Sequence, residues 1–129
     1  MDWITSVAML ASLIFPTHAE IANYLIMEAH RENITTIPYI MVVWKESALN
    51  PKAYNPRDID GKQKFGLLQY DTNTWKYLTK KMKMPELSIN NWKHQVQVFS
   101  WAIKNGEGWR WPTIKKSMKE IEEMNIEGI

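Results

Sequence analysis

The stretch IPYIMVVWKESAL, residues 37–49, decides the fold. Residues 37–44 contain no charged side chain, so a helix formed here is apolar nearly all round. Thr36 is suited to cap its start, Pro38 fits its first turn, and Asn50-Pro51 is expected to end it. A helix of this kind belongs in the centre of a domain, where other elements cover it on every side.

Four further segments show the spacing of amphipathic helices that would surround this one. One covers about residues 18–32, a second is capped by Asp71 or Thr72, a third by Asn90 or Asn91, and the last covers about 112–124. Their apolar stripes contain Ile21, Ala22, Leu25, Ile26 and Ala29; Trp75, Leu78 and Met82; Trp92, Val96, Phe99 and Ile103; and Ile114, Met118 and Ile121. Residues 51–64 are irregular, with two Pro and Gly61, and no segment alternates like a strand. The sequence therefore predicts an all-α domain, with β-structure limited at most to this small irregular loop.

The N-terminal segment, residues 1–19, is set apart from the domain expected over 20–129. Its apolar part, ITSVAMLASLIF at 4–15, has the length of a secretory signal core and is too short to span a bilayer comfortably. A first helix explains the same residues, because Thr17 and Glu20 form a T-x-x-E capping box for the helix that follows. Both interpretations stay open, and neither predicts a stable membrane span.

Composition narrows the classes of function. The 129 residues carry a formal charge of +2 without a long run of one sign, which is too weak a signal for a nucleic-acid partner. Cys is absent, which removes disulfides, thiol catalysis and the common zinc sites, and the three His lack metal-ligand spacing. Neither a metal nor a cofactor is therefore expected. Seven Trp and five Tyr are many for this length, and flat rings suit the faces of sugars, although the core is the default place for an aromatic ring.

Glu46 is the side chain on the central helix that carries candidate chemistry. In helical phase it shares a face with Tyr39, Val42 and Val43. Burial raises the pKa of a carboxyl group by desolvation, which suits a general acid that works near neutral pH. The phase alone favours an ordinary Glu at a helix end, turned toward solvent beside Lys45.

The residues after Glu46 narrow this choice. The pattern ESALNPKAYNPRD followed by FGLLQYDTNTW resembles the soluble lytic transglycosylase domain, a branch of the lysozyme-like superfamily. Glu46-Ser47, the N-P-x-A stretch at 50–53 and the G-L-M-Q stretch at 66–69 occur in the family's order, with Leu68 in place of Met. The resemblance covers about residues 20–104. It implies a lysozyme-like fold.

The same resemblance implies an activity. Glu46 would protonate the glycosidic oxygen between N-acetylmuramic acid and N-acetylglucosamine in peptidoglycan, and would then act as base on the muramic 6-hydroxyl to form a 1,6-anhydro end. Ser47, Gln69 and the adjacent Tyr70 would contact the sugar or position the acid, although helix-end and turn hydrogen bonds explain Ser47 and Gln69 equally well. The family's later A-Y-N-x-G segment is missing here, which implies a minimal version of the domain.

The loop after the central helix offers a second carboxylate. Asp58 and Asp60 stand in a D-x-D-G sequence, which is typical of turns. Either of them is also a candidate to hold a water in a hydrolytic lysozyme, which uses two carboxylates where the transglycosylase route needs one.

The segment Trp109-Arg110-Trp111-Pro112 is the candidate for further substrate contacts. Two rings beside an Arg suit a glycan platform, and at least one of Trp109 and Trp111 is expected to line the groove. The alternative is that these rings pack the last helix onto the core.

Three classes of function remain open. The leading one is a peptidoglycan lytic transglycosylase, and the second is a hydrolytic muramidase on the same frame. The third is a non-catalytic glycan-binding or virion structural module, or a helical interaction domain. The leading class implies glycan strands as partner, a monomer, and a periplasmic or extracellular place at the cell wall, in a protein of bacterial or phage origin.

Overall fold

The computed structural model describes residues 18–123, without the side chains of residues 118 and 120–122. Within this range the elements are α1 (Ala19–Arg31), α2 (Thr36–Ser47), β1 (Tyr54–Asn55), β2 (Lys64–Phe65), α3 (Thr72–Lys81), α4 (Trp92–Lys104), a 3-10 turn (Gly108–Arg110) and α5 (Thr113–Glu123). The predictions for residues 4–15, for Thr17 and for the side chains of Met118 and Ile121 lie outside the described part. The fold is mainly helical, as predicted, and none of the described helices is long and apolar enough to cross a bilayer.

Helix α2 is the central element. Tyr39, Val42 and Val43 on its inner face are buried, and the helix packs against both α1 and α5. Its start differs slightly from the prediction, because Thr35 takes the capping position that was expected for Thr36 and makes no side-chain cap bond. It ends at Ser47, where the chain turns into the left-handed conformation at Ala48, with φ of 52°. This sharp end places the last turn of α2 beside the loop that follows.

Helices α3 and α4 begin at the predicted caps. The Asp71 side chain accepts a hydrogen bond from the backbone N–H of Thr74, and that of Asn91 accepts from Lys93 and His94. The buried stripe residues are Ile21, Ala22, Leu25, Ile26, Ala29, Trp75, Leu78, Val96 and Phe99, while Met82, Trp92, Ile103 and Ile114 are partly buried against them. Helical periodicity therefore identified the core-facing side of each of these helices correctly.

The irregular loop contains a β-hairpin. Strands β1 and β2 are antiparallel, with Tyr54 opposite Phe65 and Asn55 opposite Lys64. At the tip, Gly61 adopts a φ of +79°, which Gly tolerates without strain, and its N–H donates to the carbonyl of Asp58 at 2.8 Å. The β-structure of the described residues consists of these two short strands and one isolated bridge between Phe65 and Tyr70.

Gln95 on α4 holds the segment that follows the hairpin. Its side-chain oxygen accepts from the backbone N–H of Leu68 at 3.1 Å, and its side-chain nitrogen donates to the carbonyls of Phe65 at 3.1 Å and Ile89 at 2.7 Å. Gly66 lies so close that a Cβ there would come within 2.3 Å of this nitrogen, so the position requires glycine. The helical core therefore fixes the base of the hairpin.

Candidate functional site

Glu46 lies in the last turn of α2 with its side chain partly exposed. No described residue donates a hydrogen bond to its carboxylate. Partial burial raises its pKa above the ordinary value, the negative charge of Asp58 raises it further, and the positive charge of Lys64 opposes the shift. A carboxyl group that is open to a ligand and retains its proton more readily than usual has the two properties a general acid needs.

The two loop carboxylates differ in what they face. Asp58 is the one whose charge acts on Glu46, and its side chain is 41% exposed. Asp60 instead accepts from the backbone N–H of Lys62 at 2.9 Å and from the Lys64 ammonium at 2.9 Å. The hydrogen bond from Lys62, followed by that from Lys64, holds the pKa of Asp60 below its ordinary value. Of the two candidates for a second carboxylate, the structure brings Asp58 to Glu46.

Ser47 and Gln69 both donate hydrogen bonds to backbone carbonyls. The Ser47 hydroxyl donates to the carbonyl of Val43 at 3.1 Å, one helical turn back. The Gln69 side-chain nitrogen donates to the carbonyls of Gly66 at 2.9 Å and Ala53 at 3.3 Å, and the Gly66 N–H also donates to Ala53 at 2.7 Å. The N-P-x-A and G-L-L-Q stretches are thus in direct contact through Ala53. In these positions Ser47 and Gln69 stabilise the frame of the site, which was the structural alternative for both.

Tyr70 and Trp111, which were predicted to bind substrate, are packed mainly into the core. They are 2% and 4% exposed, and their rings meet edge to face with centroids 5.5 Å apart. The Tyr70 hydroxyl donates to the carbonyl of Gln95 at 2.9 Å, and the Trp111 indole N–H donates to that of Leu68 at 3.0 Å. The polar atom of each ring finds a partner inside, so the rings fill the space beside the Gly66–Gln69 segment, and both residues also border the cavity that Trp109 lines.

Trp109, two residues away, lies at the surface with 67% of its area exposed. The Arg110 guanidinium is 4.5 Å from its ring centroid and 5.0 Å from that of Tyr77, and pairs with Glu107 at 3.3 Å. Trp109 and Arg110 line a cavity of about 210 Å³ that reaches Lys64 and the base of the hairpin. Trp109 therefore fits the expectation that one of the two rings lines a groove.

Sequence reasoning missed Gln95 and Lys64. Neither stands in a motif. The partners of Gln95 are up to 30 residues away along the chain, and those of Lys64 are four to seven residues away but on both sides of a turn whose geometry the sequence did not reveal. Within residues 18–123, no group of three or more His, Asp or Glu side chains is placed to hold a metal ion.

Comparison with known proteins gives no match: no family model, no curated protein and no solved structure is detectably similar to the chain. The resemblance of residues 46–75 to the lytic transglycosylase pattern therefore stays a prediction from the motif. Contacts inside the site are what support an assignment of function.

Proposed function

We propose that this protein cleaves the β-1,4 glycosidic bond between N-acetylmuramic acid and N-acetylglucosamine in peptidoglycan, with Glu46 as general acid and base. The observation that carries the proposal is the Glu46 carboxyl group, which is partly exposed, receives no hydrogen bond from the described residues and has a raised pKa. A carboxylate with a purely structural role is normally hydrogen-bonded or paired when it loses solvent. This one is left available for a ligand.

The site also has the frame on which such an acid would act. Glu46 ends a rigid helix whose inner face is buried, and the hairpin that follows is tied to α4 through Gln95. A site built on fixed elements holds the acid within the small tolerance that proton transfer to a bound oxygen requires. Trp109 offers an exposed ring on the same side as the base of the hairpin, where a sugar ring can stack.

The reaction would proceed with Glu46 in two roles. The protonated carboxyl group donates its proton to the glycosidic oxygen, the bond to the muramic C1 breaks, and the acetamido oxygen of the substrate attacks C1 to carry the developing charge. The Glu46 carboxylate then takes the proton of the muramic 6-hydroxyl, whose oxygen displaces the acetamido oxygen and closes the 1,6-anhydro ring. One protein carboxylate is sufficient, and no water is consumed.

Hydrolysis is the second candidate, and the position of Asp58 favours it. In a hydrolytic glycosidase, one carboxyl group stays protonated while a second, ionised one activates water or stabilises the charge on the sugar. Glu46 is partly buried at a helix end, whereas Asp58 is half exposed on a loop, and the charge of Asp58 reaches Glu46. These are different environments for two neighbouring carboxyl groups, as that mechanism requires.

The Glu46→Gln variant tests the proposal. We expect wild-type protein to clear a suspension of purified sacculi and the variant to lose this activity by ~100- to 10,000-fold, because the amide has the same shape and no proton to donate. Glu86→Gln is a matched control, since Glu86 is exposed and outside the site. Wild-type clearance by folded Glu46→Gln protein would remove Glu46 from the mechanism.

The released fragments decide between the two reactions. Transglycosylation leaves 1,6-anhydromuramic ends, which are lighter than the reducing ends of hydrolysis by one water. Mass spectrometry of the digest with wild-type protein and with Asp58→Asn distinguishes them. Anhydro ends with both proteins support the single-carboxylate route, whereas reducing ends that disappear in Asp58→Asn support hydrolysis.

A further inference from the structure

Lys64 on strand β2 is surrounded by carboxylates. Its ammonium nitrogen lies 2.9 Å from an oxygen of Asp60, 3.6 Å from one of Asp71 and 3.9 Å from one of Asp58. Its side chain is only 14% exposed, so these pairs are less screened by solvent than a typical surface ion pair. One cation therefore faces three anions in a partly desolvated place.

The three carboxylates come from separate elements. Asp58 and Asp60 lie in the hairpin loop, and Asp71 caps helix α3. Three aspartates gathered this closely would repel one another without a cation between them. Desolvation opposes the charged form of Lys64, but the hydrogen bond and charge of Asp60 and the charges of Asp71 and Asp58 outweigh it and raise the pKa of Lys64. The ammonium stays charged and joins the hairpin loop to the start of α3.

Glu46 receives its electrostatic environment from this cluster. Burial has the largest effect on the pKa of its carboxyl group, and the charges of the described residues that act on it come from Asp58 and Lys64, with opposite signs. Glu46 lies on α2, whereas both of these residues belong to the hairpin, so the hairpin adds its charges to the effect of burial on the acid. Loss of Lys64 would leave Asp58 beside Glu46 without the cation that balances it.

We propose that Lys64 is a positioning residue of the Glu46 site, which holds Asp58, Asp60 and Asp71 around one ammonium group and thereby sets the charge that Glu46 meets. The part of this proposal that concerns catalysis rests on the proposed function, because the protonation of Glu46 affects the rate only if Glu46 acts as a general acid. The electrostatic part is independent of catalysis. It applies to Glu46 whatever ligand the site takes.

The test compares Lys64→Met with Lys64→Arg and Lys62→Met. Lys64→Met removes the charge, Lys64→Arg retains it, and Lys62→Met removes one charge from an exposed position of the same loop. The readouts are a carbon-13 NMR titration of the Glu46 carboxyl group and the pH profile of sacculus clearance. Lys64→Gln, which retains a hydrogen-bond donor, replaces Lys64→Met if circular dichroism shows that the latter does not fold.

A general acid loses activity as pH rises through its pKa, so Glu46 sets the alkaline limb of the profile. We expect Lys64→Met to move the NMR midpoint of Glu46 and this limb toward higher pH, and Lys64→Arg and Lys62→Met to leave both near the wild-type values. An unchanged Glu46 midpoint in folded Lys64→Met, or an equal shift in Lys62→Met, overturns the inference. If the NMR midpoint shifts as expected but no variant or wild-type protein cleaves glycan, Lys64 retains its role and the proposed function fails.

Discussion

Polar side chains are hydrogen-bonded to the backbone in one region of the molecule and left without such bonds in another. The pinned region consists of Gln95, Gly66–Gln69, Tyr70 and Trp111. In it, both the side-chain oxygen and the side-chain nitrogen of buried Gln95 are hydrogen-bonded to backbone groups. The open region is represented by two side chains, Glu46, whose carboxylate has no hydrogen bond from the described residues, and Trp109, which lies at the surface. The comparison shows that the polar groups of the pinned region stabilise the fold, whereas the Glu46 carboxylate remains available for a ligand.

Replacing Trp111 or Trp109 should give the largest difference in stability between the two regions. We expect Trp111→Ala to lower the free energy of unfolding by ~3–5 kcal/mol, because it leaves a large cavity and an unpaired Leu68 carbonyl. Trp109→Ala should change stability far less and weaken binding of chitooligosaccharides. Denaturant unfolding and sugar titrations of both variants measure this. Equal stability losses in the two variants would break the comparison.

Gln95 and Glu46 should differ in the sign of their effect on stability. Gln95→Ala should cost roughly 1–3 kcal/mol or more, because buried groups of Phe65, Leu68 and Ile89 lose their partner. Glu46→Gln should stabilise the protein at neutral pH. Its control is Glu86→Gln, which should leave the unfolding free energy near that of wild type.

The stabilisation expected for Glu46→Gln depends on pH, because the pKa of Glu46 is raised. Because the pKa of Glu46 is higher in the folded than in the unfolded state, the contribution of Glu46 to stability is fully present below the unfolded pKa. This contribution is lost as pH rises through the folded pKa. Glutamine does not titrate, so the advantage of Glu46→Gln should grow as pH rises from the acid range to neutral. Chemical denaturation at several pH values measures it, and a constant difference would argue that burial does not disfavour the charged Glu46.

Asp71 belongs to neither region. It caps α3 and pairs with Lys64. Asp71→Ala should cost ~1 kcal/mol at neutral pH through the lost cap, whereas Asp71→Asn, which retains a good cap, should cost less. Burial raises the pKa of Asp71, but the hydrogen bonds from Thr74 and the charges of Lys62 and Lys64 outweigh it, so the pKa is lowered. The cost of Asp71→Ala should therefore shrink as pH falls through that lowered pKa. Denaturation at acid and neutral pH measures this cost, and a cost that stays the same or grows as pH falls would contradict the prediction.

Much of the helical frame was predictable because its signals are local. Asp71 and Asn91 are caps that act within three residues, and the apolar stripes repeat with the period of the helix. Glu46 was found in the same way, from its phase on an apolar helix and the motif that follows it. The deep burial of Tyr70 and Trp111 was not predictable, because a ring in a turn near a motif has the same sequence signature whether it faces solvent or core.

By itself, the sequence determined the helices, the caps of α3 and α4, the apolar centre around residues 37–44 and the placement of Glu46 at the end of that helix. Only the tertiary structure decided which of Asp58 and Asp60 acts on Glu46, which of Trp109 and Trp111 reaches the surface, and that Lys64 and Gln95 hold the hairpin. The physical reason is the range of the interactions. Helix propensity and capping act between near neighbours in the chain, whereas burial and ion pairing depend on which distant segments the fold brings into contact.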